Sequence, residues 1–455
     1  MSKDKTVYVV HCVDTEGPLY ESLEATFQRL KDIFQLDFKT DIKTLKKLQK
    51  GEISLNGLEK TVQQVLDPKL LAYNDTWDKI DDMLYEILDD DFRNQFLDSN
   101  GDGWVYNWFC VDHVDYEVNP RRRDIGYHNI FDHYKQILDQ TKSKNDGLHF
   151  HYHPHNFVKH AHINATHWWA NSNSLYQVLC RRIIDRSWFP SANRPGFQVN
   201  RPDSHWFLEQ FIPFDFGNMS YDSKSDIDDQ YDVSNGHAGD WRRAPKSWTP
   251  YHPSHDDYQI KGDCRRWIAR CLNVGTRFCI IREKDIRQAF KEASKSQPVV
   301  MCFANHDFRD ITPDVENISK MVKKVSKDFS DVDFIYSEAI DAMRKANDIK
   351  KMPKCKLSLT LEQIKDFHLL TIESDTPIFG PQPFFALKTV TDHYIHDNLD
   401  FQIPNKKWTY IFDRDTINLN AVEKIGVAAN NSYGVTSVAV IDVNSGKISK
   451  NYLNI

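Results

Sequence analysis

Apolar residues follow three different rhythms along the chain, and each rhythm predicts a different element. Residues 6–13, Thr-Val-Tyr-Val-Val-His-Cys-Val, form an unbroken β-branched and apolar run, the pattern of a strand buried on both faces as in a parallel sheet. Runs of the same kind recur at 104–111 and 297–304. Elsewhere the apolar positions fall three and four apart, which predicts helices over 23–34, 42–48, 80–96, 127–138, 164–184, 204–211, 265–272 and 286–293. The stretch 20–97 therefore reads as a helical insertion or cap. From about residue 351 the texture changes to short alternating runs, at 357–361, 368–372, 384–390, 408–412 and 435–443, which predict strands divided by polar turns. The reading is an α/β unit over 1–350 followed by a β-rich, sandwich-like domain over 355–455.

Polar residues at the ends of the apolar runs narrow the architecture. The first run passes into Asp14-Thr15-Glu16-Gly17-Pro18, the second into Asp112-His113 and the third into Asn305-His306-Asp307. Reactive side chains at the carboxyl ends of buried strands are the arrangement of a parallel α/β barrel. Asp14 and Glu16, one residue apart, leave a strand on the same side, and like charges held so close call for a cation or a proton between them. Gly147-Leu148-His149-Phe150-His151-Tyr152-His153-Pro154-His155 places four histidines at period two. On a strand their imidazoles share one face, an arrangement suited to a divalent metal. At 98–103 the chain imitates the start of a calcium loop, but its twelfth position is Phe109, so this stretch predicts a turn.

Composition excludes several classes of function. A length of 455 residues predicts two or three domains. A net charge of -7, with Arg121-Arg122-Arg123 as the densest basic cluster, argues against nucleic acid, and the triplet reads as a solvated loop. The polar start of the sequence lacks the apolar core expected of a signal peptide, and no apolar stretch reaches membrane-spanning length, so neither a leader nor a span is expected. The eight cysteines lack paired zinc spacing and read as reduced thiols, so the expected location is cytoplasmic. Aromatic residues make up 13% of the chain, with 11 Trp. Several fall in the polar loop 224–263, where Trp241, Trp248 and Tyr251 offer stacking faces for a carbohydrate.

In this order the motifs resemble those of the polysaccharide deacetylase (NodB-like, carbohydrate esterase family 4-like) superfamily, and the likeness, that of a divergent member, spans residues 6–345. The resemblance implies a distorted (β/α)7 barrel that removes acyl groups from amino sugars with a divalent metal, zinc being the expected ion. It puts Asp14 in the position of the base and Glu16 in that of a metal ligand. His151 and His155, or His149 and His153 one register earlier, match the histidine pair. Arg194-Pro195-Gly196-Phe197 resembles the loop that orients the base, Tyr221-Asp222-Ser223 resembles an element that puts Asp222 beside the substrate, and His306 matches the acid. The acidic pair, split by Thr15, the surplus of histidines and the large insertion depart from the family pattern.

The chemistry expected of these residues is amide hydrolysis. Asp14 takes a proton from water, Arg194 keeps Asp14 ionised, His306 protonates the leaving amine and Asp307 holds the His306 imidazole. The expected substrate is an amino sugar, a glycan or a nucleotide sugar. Three other readings share these residues, an inactive carbohydrate-binding protein of the same fold, another metal-dependent hydrolase such as a phosphoesterase, and a purely structural use of the histidines on a sheet surface. No basic phosphate clamp lies near the motifs in the sequence, which disfavours the phosphoesterase.

Overall fold

The strand β1 (Thr6–Thr15) is buried along almost its whole length, and its pairing defines the architecture. In the computed structural model, which describes residues 5–163, 173–221, 238–276, 278–350 and 352–454, β1 is followed by β2 (Tyr106–Cys110), β3 (Gly147–Tyr152), β4 (Ala192–Pro195), β5 (Phe214–Asn218), β6 (Trp267–Asn273), β7 (Val299–His306) and β8 (Asp333–Tyr336). The order β1-β2-β3-β4-β5-β6-β7 closes back on β1, and every pairing is parallel. The result is a seven-stranded parallel barrel, the parallel α/β barrel that the sequence pattern predicts with the strand number that the resemblance implies. β2 pairs with β1 over His11–Thr15 while β8 pairs with it over Thr6–Val9. Because a strand has only two edges and β7 takes one of them, β8 and β2 share the other. The ring is complete at the carboxyl ends and parted by β8 at the amino ends, and this is the distortion.

Small apolar residues fill the lumen, among them Val10, Cys12, Ala192, Ala269, Cys271, Cys302 and Ala304. The excursion between β1 and β2 carries α1 (Leu23–Phe34), α2 (Ile42–Lys50), α3 (Glu59–Val65), α4 (Pro68–Leu71), α5 (Trp77–Ile87) and α6 (Asp90–Arg93). Ser22, Asp41 and Thr76 cap the amino ends of α1, α2 and α5 by accepting backbone N–H bonds. The barrel helices are α7 (Asn129–Thr141), α8 (Asn173–Arg186), α9 (Pro202–Phe211), α10 (Glu283–Ala293), α11 (Thr312–Ser326) and α12 (Ala339–Ala346). Residues 164–172, the start of the helix expected at 164–184, lie outside the described residues. At 98–103 the Asp98 carboxylate accepts N–H bonds from Asn100, Asp102 and Tyr336, so the calcium-loop imitation is a turn tied to β8.

One element differs in kind from the sequence reading. Residues 265–272 carry helix-favouring arginines, yet 267–273 is the strand β6. Ala269 and Cys271 face the lumen while Ile268 and Leu272 pack outside it. Burial on both faces overrides the local propensity.

The remaining strands are β9 (Leu357–Ile364), β10 (Phe367–Ser374), β11 (Phe384–Thr389), β12 (Tyr394–Asp397), β13 (Asp400–Ile403), β14 (Lys407–Phe412), β15 (Val422–Asn430), β16 (Thr436–Asp442) and β17 (Ile448–Leu453). They form two antiparallel sheets, β13-β14-β10-β9 and β12-β11-β15-β16-β17, with Leu370, Trp408, Phe385 and Ile425 in the core they share. The second sheet packs its other face on α8. Leu175, Leu179 and Ile183 join Phe384, Ala428 and Val438 in a single apolar cluster. Gly426 permits this approach, since a Cβ there would lie 2.6 Å from Ile183 Cγ2. Among the described residues no helix is long and apolar enough to cross a membrane.

Two expected outcomes follow from this packing. Gly426→Val forces β15 away from α8 and should lower stability by about 1 to 3 kcal/mol, the usual cost of overpacking, as read from denaturant unfolding. The second concerns His11, which is buried in β1. Its Nδ1 accepts the Trp104 indole N–H at 3.0 Å, so Nε2 carries the proton and donates to Asn305 Oδ1 at 3.0 Å. Burial pushes His11 down from 6.5 to about 4, against a smaller upward pull from the Asn305 bond. The neutral ring's stabilisation is present above pH 6.5 and is lost as pH falls through about 4. Relative to His11→Gln, wild type should lose on the order of 3 kcal/mol over that window, measured as the difference between their unfolding free energies at each pH.

Candidate metal centre

The end of β1 and the residue after it put two carboxylates at the barrel mouth with separate partners. Asp14 Oδ1 accepts a bond from Arg194 Nε at 2.6 Å, while Arg194 Nη1 donates to the Phe216 carbonyl at 3.1 Å. Burial alone would raise the Asp14 carboxyl, but Arg194, with His151 and His306, offsets this and holds it below its usual range. Glu16 meets a different set. Arg123 Nη2 donates to its Oε2, and its Oε1 lies 3.2 Å from His153 Nε2 and 3.8 Å from His151 Nε2. Burial again opposes ionisation, and Arg123 and His153 bring Glu16 well below the ordinary carboxylate range.

Glu16, His151 and His153 form a buried group whose three donor atoms all lie within 4.8 Å of one another. The two imidazole Nε2 atoms are 2.9 Å apart. His151 Nδ1 donates to the Arg194 carbonyl at 2.7 Å, which leaves its Nε2 lone pair directed at the group, the outer-shell arrangement of a metal-ligating histidine. Two imidazoles and one carboxylate fit a divalent ion of the zinc type and leave coordination positions for water.

The histidine pair is thus 151 with 153, a register that joins one member of each expected pair. Inward-facing positions on β3 alternate, so 149, 151 and 153 point the same way at three depths. His149, the deepest, is occupied by Asn107 Oδ1 at 3.2 Å and Glu338 Oε1 at 3.0 Å. His155, beyond the turn at Pro154, stacks on Tyr116 with centroids 4.9 Å apart, and burial pushes it down to about 4. His153 fits where it does because residue 196 is glycine, since a Cβ there would overlap its ring. The Arg194-Pro195-Gly196-Phe197 loop therefore does two things here. It supplies the arginine on Asp14 and the space for a ligand histidine.

His306, at the end of β7, brings Nε2 to 3.8 Å from both Asp14 Oδ2 and Glu16 Oε1. Burial pushes it down to about 4, against upward pulls from Glu16 and Asp14. Asp307 does not hold this ring. Its Oδ1 accepts the Glu16 N–H, and its Oδ2 accepts the Gly17 N–H and the Tyr134 hydroxyl, each at 2.9 Å. A strand end reverses side-chain direction at each residue, so 306 and 307 face opposite ways. Asp307 fixes the turn that presents Glu16, and burial pushes its carboxyl up to about 7.

Two contributors escape the sequence reading. Arg123, read as part of a solvated triplet, is buried against Glu16 and also donates Nε to His162 Nε2 at 3.2 Å. His113 places Nε2 3.1 Å from the Glu16 carbonyl. Only the Asp112-His113 strand end hinted at the second, and nothing local marked the first. The group opens into a cleft of about 980 Å³ lined by Tyr73, Phe197, His306 and Phe308, among others. Trp241, Trp248 and Tyr251 do not line it. They are 3%, 0% and 4% exposed, with polar edges bound to the carbonyls of Gln198, Asp285 and Tyr258. Their rings belong to the core, so the stacking role expected of them is corrected. Asp222, and the part of the expected loop up to 237, lie outside the described residues.

No protein-family model matches the chain, and no curated protein matches it.

The arrangement predicts about one divalent ion per chain. Measured as metal content after dialysis, Glu16→Ala, His151→Ala and His153→Ala should each lose it, whereas His149→Ala and His155→Ala should keep it. Gly196→Ala, which displaces His153, should weaken binding by about ten- to a hundredfold. Full occupancy in His153→Ala would assign the ion to another ligand set.

Proposed function

We propose that the chain is a metal-dependent hydrolase that removes an acyl group, such as acetyl, from an amino sugar or glycan. The observation that carries this reading is the division of labour between two carboxylates on one strand face. Glu16 belongs to the three-donor group, while Asp14 stands beside it on Arg194 with Oδ2 turned toward His306. A pair so divided suits one ligand and one base, and the order of motifs along the chain resembles that of the polysaccharide deacetylases.

Glu16, His151 and His153 would hold the ion, which when bound supplies activation of water and stabilisation of charge on the acyl oxygen. The chain's own part is proton movement. Asp14, kept ionised by Arg194, accepts the proton of the attacking water at Oδ2. Burial keeps His306 neutral at rest, so it can take that proton from Asp14 across the 3.8 Å separation and pass it to the amine nitrogen as the C–N bond breaks. One proton leaves the water and arrives on the amine, and the carboxylic acid forms on the acyl carbon. In this reading residues 1–350 form the catalytic unit, and residues 355–455 are an accessory β unit that supports it through α8.

The structure also favours a second use of the same group. Arg121, Arg123 and Arg309 line the cleft, a basic set that chain separation conceals, and such a set suits phosphoester hydrolysis.

Asp14→Asn tests the first reading. It should retain its metal and lose about a hundredfold or more in turnover of acetylated amino sugars, with rates compared at equal folded fraction because the change leaves Arg194 without its counter-ion. Wild-type rates in Asp14→Asn would exclude the proposed base, and turnover of an aryl phosphate with none of an acetylated sugar would favour the second reading.

A further inference from the structure

Phe308 follows the His306-Asp307 pair, and two guanidinium groups pack against its ring. Arg123 lies 4.8 Å from the ring centroid and Arg309 5.0 Å, with Arg309 also 5.1 Å from the ring of Tyr73. The His306 ring is 4.6 Å from Phe308, so the Phe308 ring borders the proposed reaction centre, and all of these residues line one cleft.

Like charges gathered on one wall need balancing, and the chain supplies only part of it. Arg29 and Arg121 share Glu21, and Arg123 has Glu16. Arg309 forms no ion pair among the described residues. Its hydrogen bond is from Nε to the Leu70 carbonyl at 3.0 Å, which leaves its Nη edge without a hydrogen bond among the described residues. Arg123 Nη1 is buried and has no hydrogen-bond partner among the described residues, in a side chain that is 4% exposed. Glu24 and Asp32, also on the cleft wall, pair with neither Arg123 nor Arg309. An arginine stacked at an ordinary surface needs no ligand. These two converge on a ring beside His306, and one of them has a desolvated N–H without an acceptor.

We propose that Arg309 and Arg123, both packed on Phe308, form a subsite for an anionic group on the substrate, a carboxylate or a phosphate carried by the sugar, so that the chain acts on acidic acylated sugars in preference to neutral ones. The identity of the sugar rests on the deacylase reading, while the anion subsite rests on its own geometry. The aromatic rings hold the guanidinium planes in place, so less freedom is lost when an anion arrives. The forked N–H donors match the oxygens of either anion.

The test is calorimetric binding, without turnover, to the full metal-loaded chain. N-acetylglucosamine is compared with its uronic acid and with its 1-phosphate. The acidic sugars should bind about tenfold tighter or more, as a charge-assisted pair gives, and the tighter of the two identifies the source of the anion. Arg309→Gln should abolish this preference with metal content unchanged, and Arg309→Lys should restore part of it. Equal affinity for all three sugars, no binding of either acidic sugar, or a preference that persists in Arg309→Gln overturns the subsite. The last of these is also the outcome if the anion binds at Glu16, His151 and His153 instead. Because no turnover is read, an acid preference in a chain that fails to deacylate counts against the hydrolase reading alone.

Discussion

Two carboxylates one residue apart, buried together at the mouth of a barrel, impose the constraint on which this molecule turns. Charges that close in a poorly solvated space repel strongly, and the fold answers by giving each its own cations. Arg194 reaches Asp14 from β4 and Arg123 reaches Glu16 from the loop after β2, while His151 from β3 and His153 just beyond it complete the group around Glu16. Each of these elements is adjacent to β1 or reaches it only because the ring of strands is closed. Removing one partner leaves a buried charge without compensation, a loss that for such pairs runs to about 3 to 5 kcal/mol. Closure of the barrel and assembly of the site are therefore the same event.

How much of this could be read from the chain depended on whether the signal was local. Positions 14, 16 and 306 stand at or beside the ends of buried runs and 151 lies in a period-two run, where strand periodicity alone fixes which way a side chain points, whereas 194 was marked only by the resemblance of its loop. Position 123 has no such frame. Of three consecutive arginines, Arg122 stacks on Tyr20, Arg121 pairs with Glu21 and only Arg123 turns inward, and the path of the loop makes that choice. The histidine register turned on the glycine at 196, some forty residues downstream. Aromatic residues in a polar loop suggested a ligand platform, yet Trp248 is fully buried. Composition alone could not separate a stacking face from a core contact. β6 failed for the opposite reason, because a strong local propensity was overruled by burial on both faces.

The separation of His306 from Asp307 changes how the centre behaves. His306 has a buried Nδ1 without a hydrogen-bond partner among the described residues, so packing against Phe308 sets its orientation. The Asp307 carboxylate joins the end of β7 to the backbone N–H groups of Glu16 and Gly17, so the ends of β1 and β7 are tied through one side chain.

The helical excursion between β1 and β2 has its own apolar core, with Phe27, Leu30, Ile33, Leu48, Val62 and Leu66 packed on one another. From this same excursion come Ser22, Ala25, Gln28, Arg29 and Tyr73, which form one wall of the cleft. The wall can therefore change residue by residue while its internal packing and the strands beneath it stay as they are. A lineage carrying this insertion could exchange one substrate for another by drift on a single separate layer, and the two buried carboxylates would never register the change.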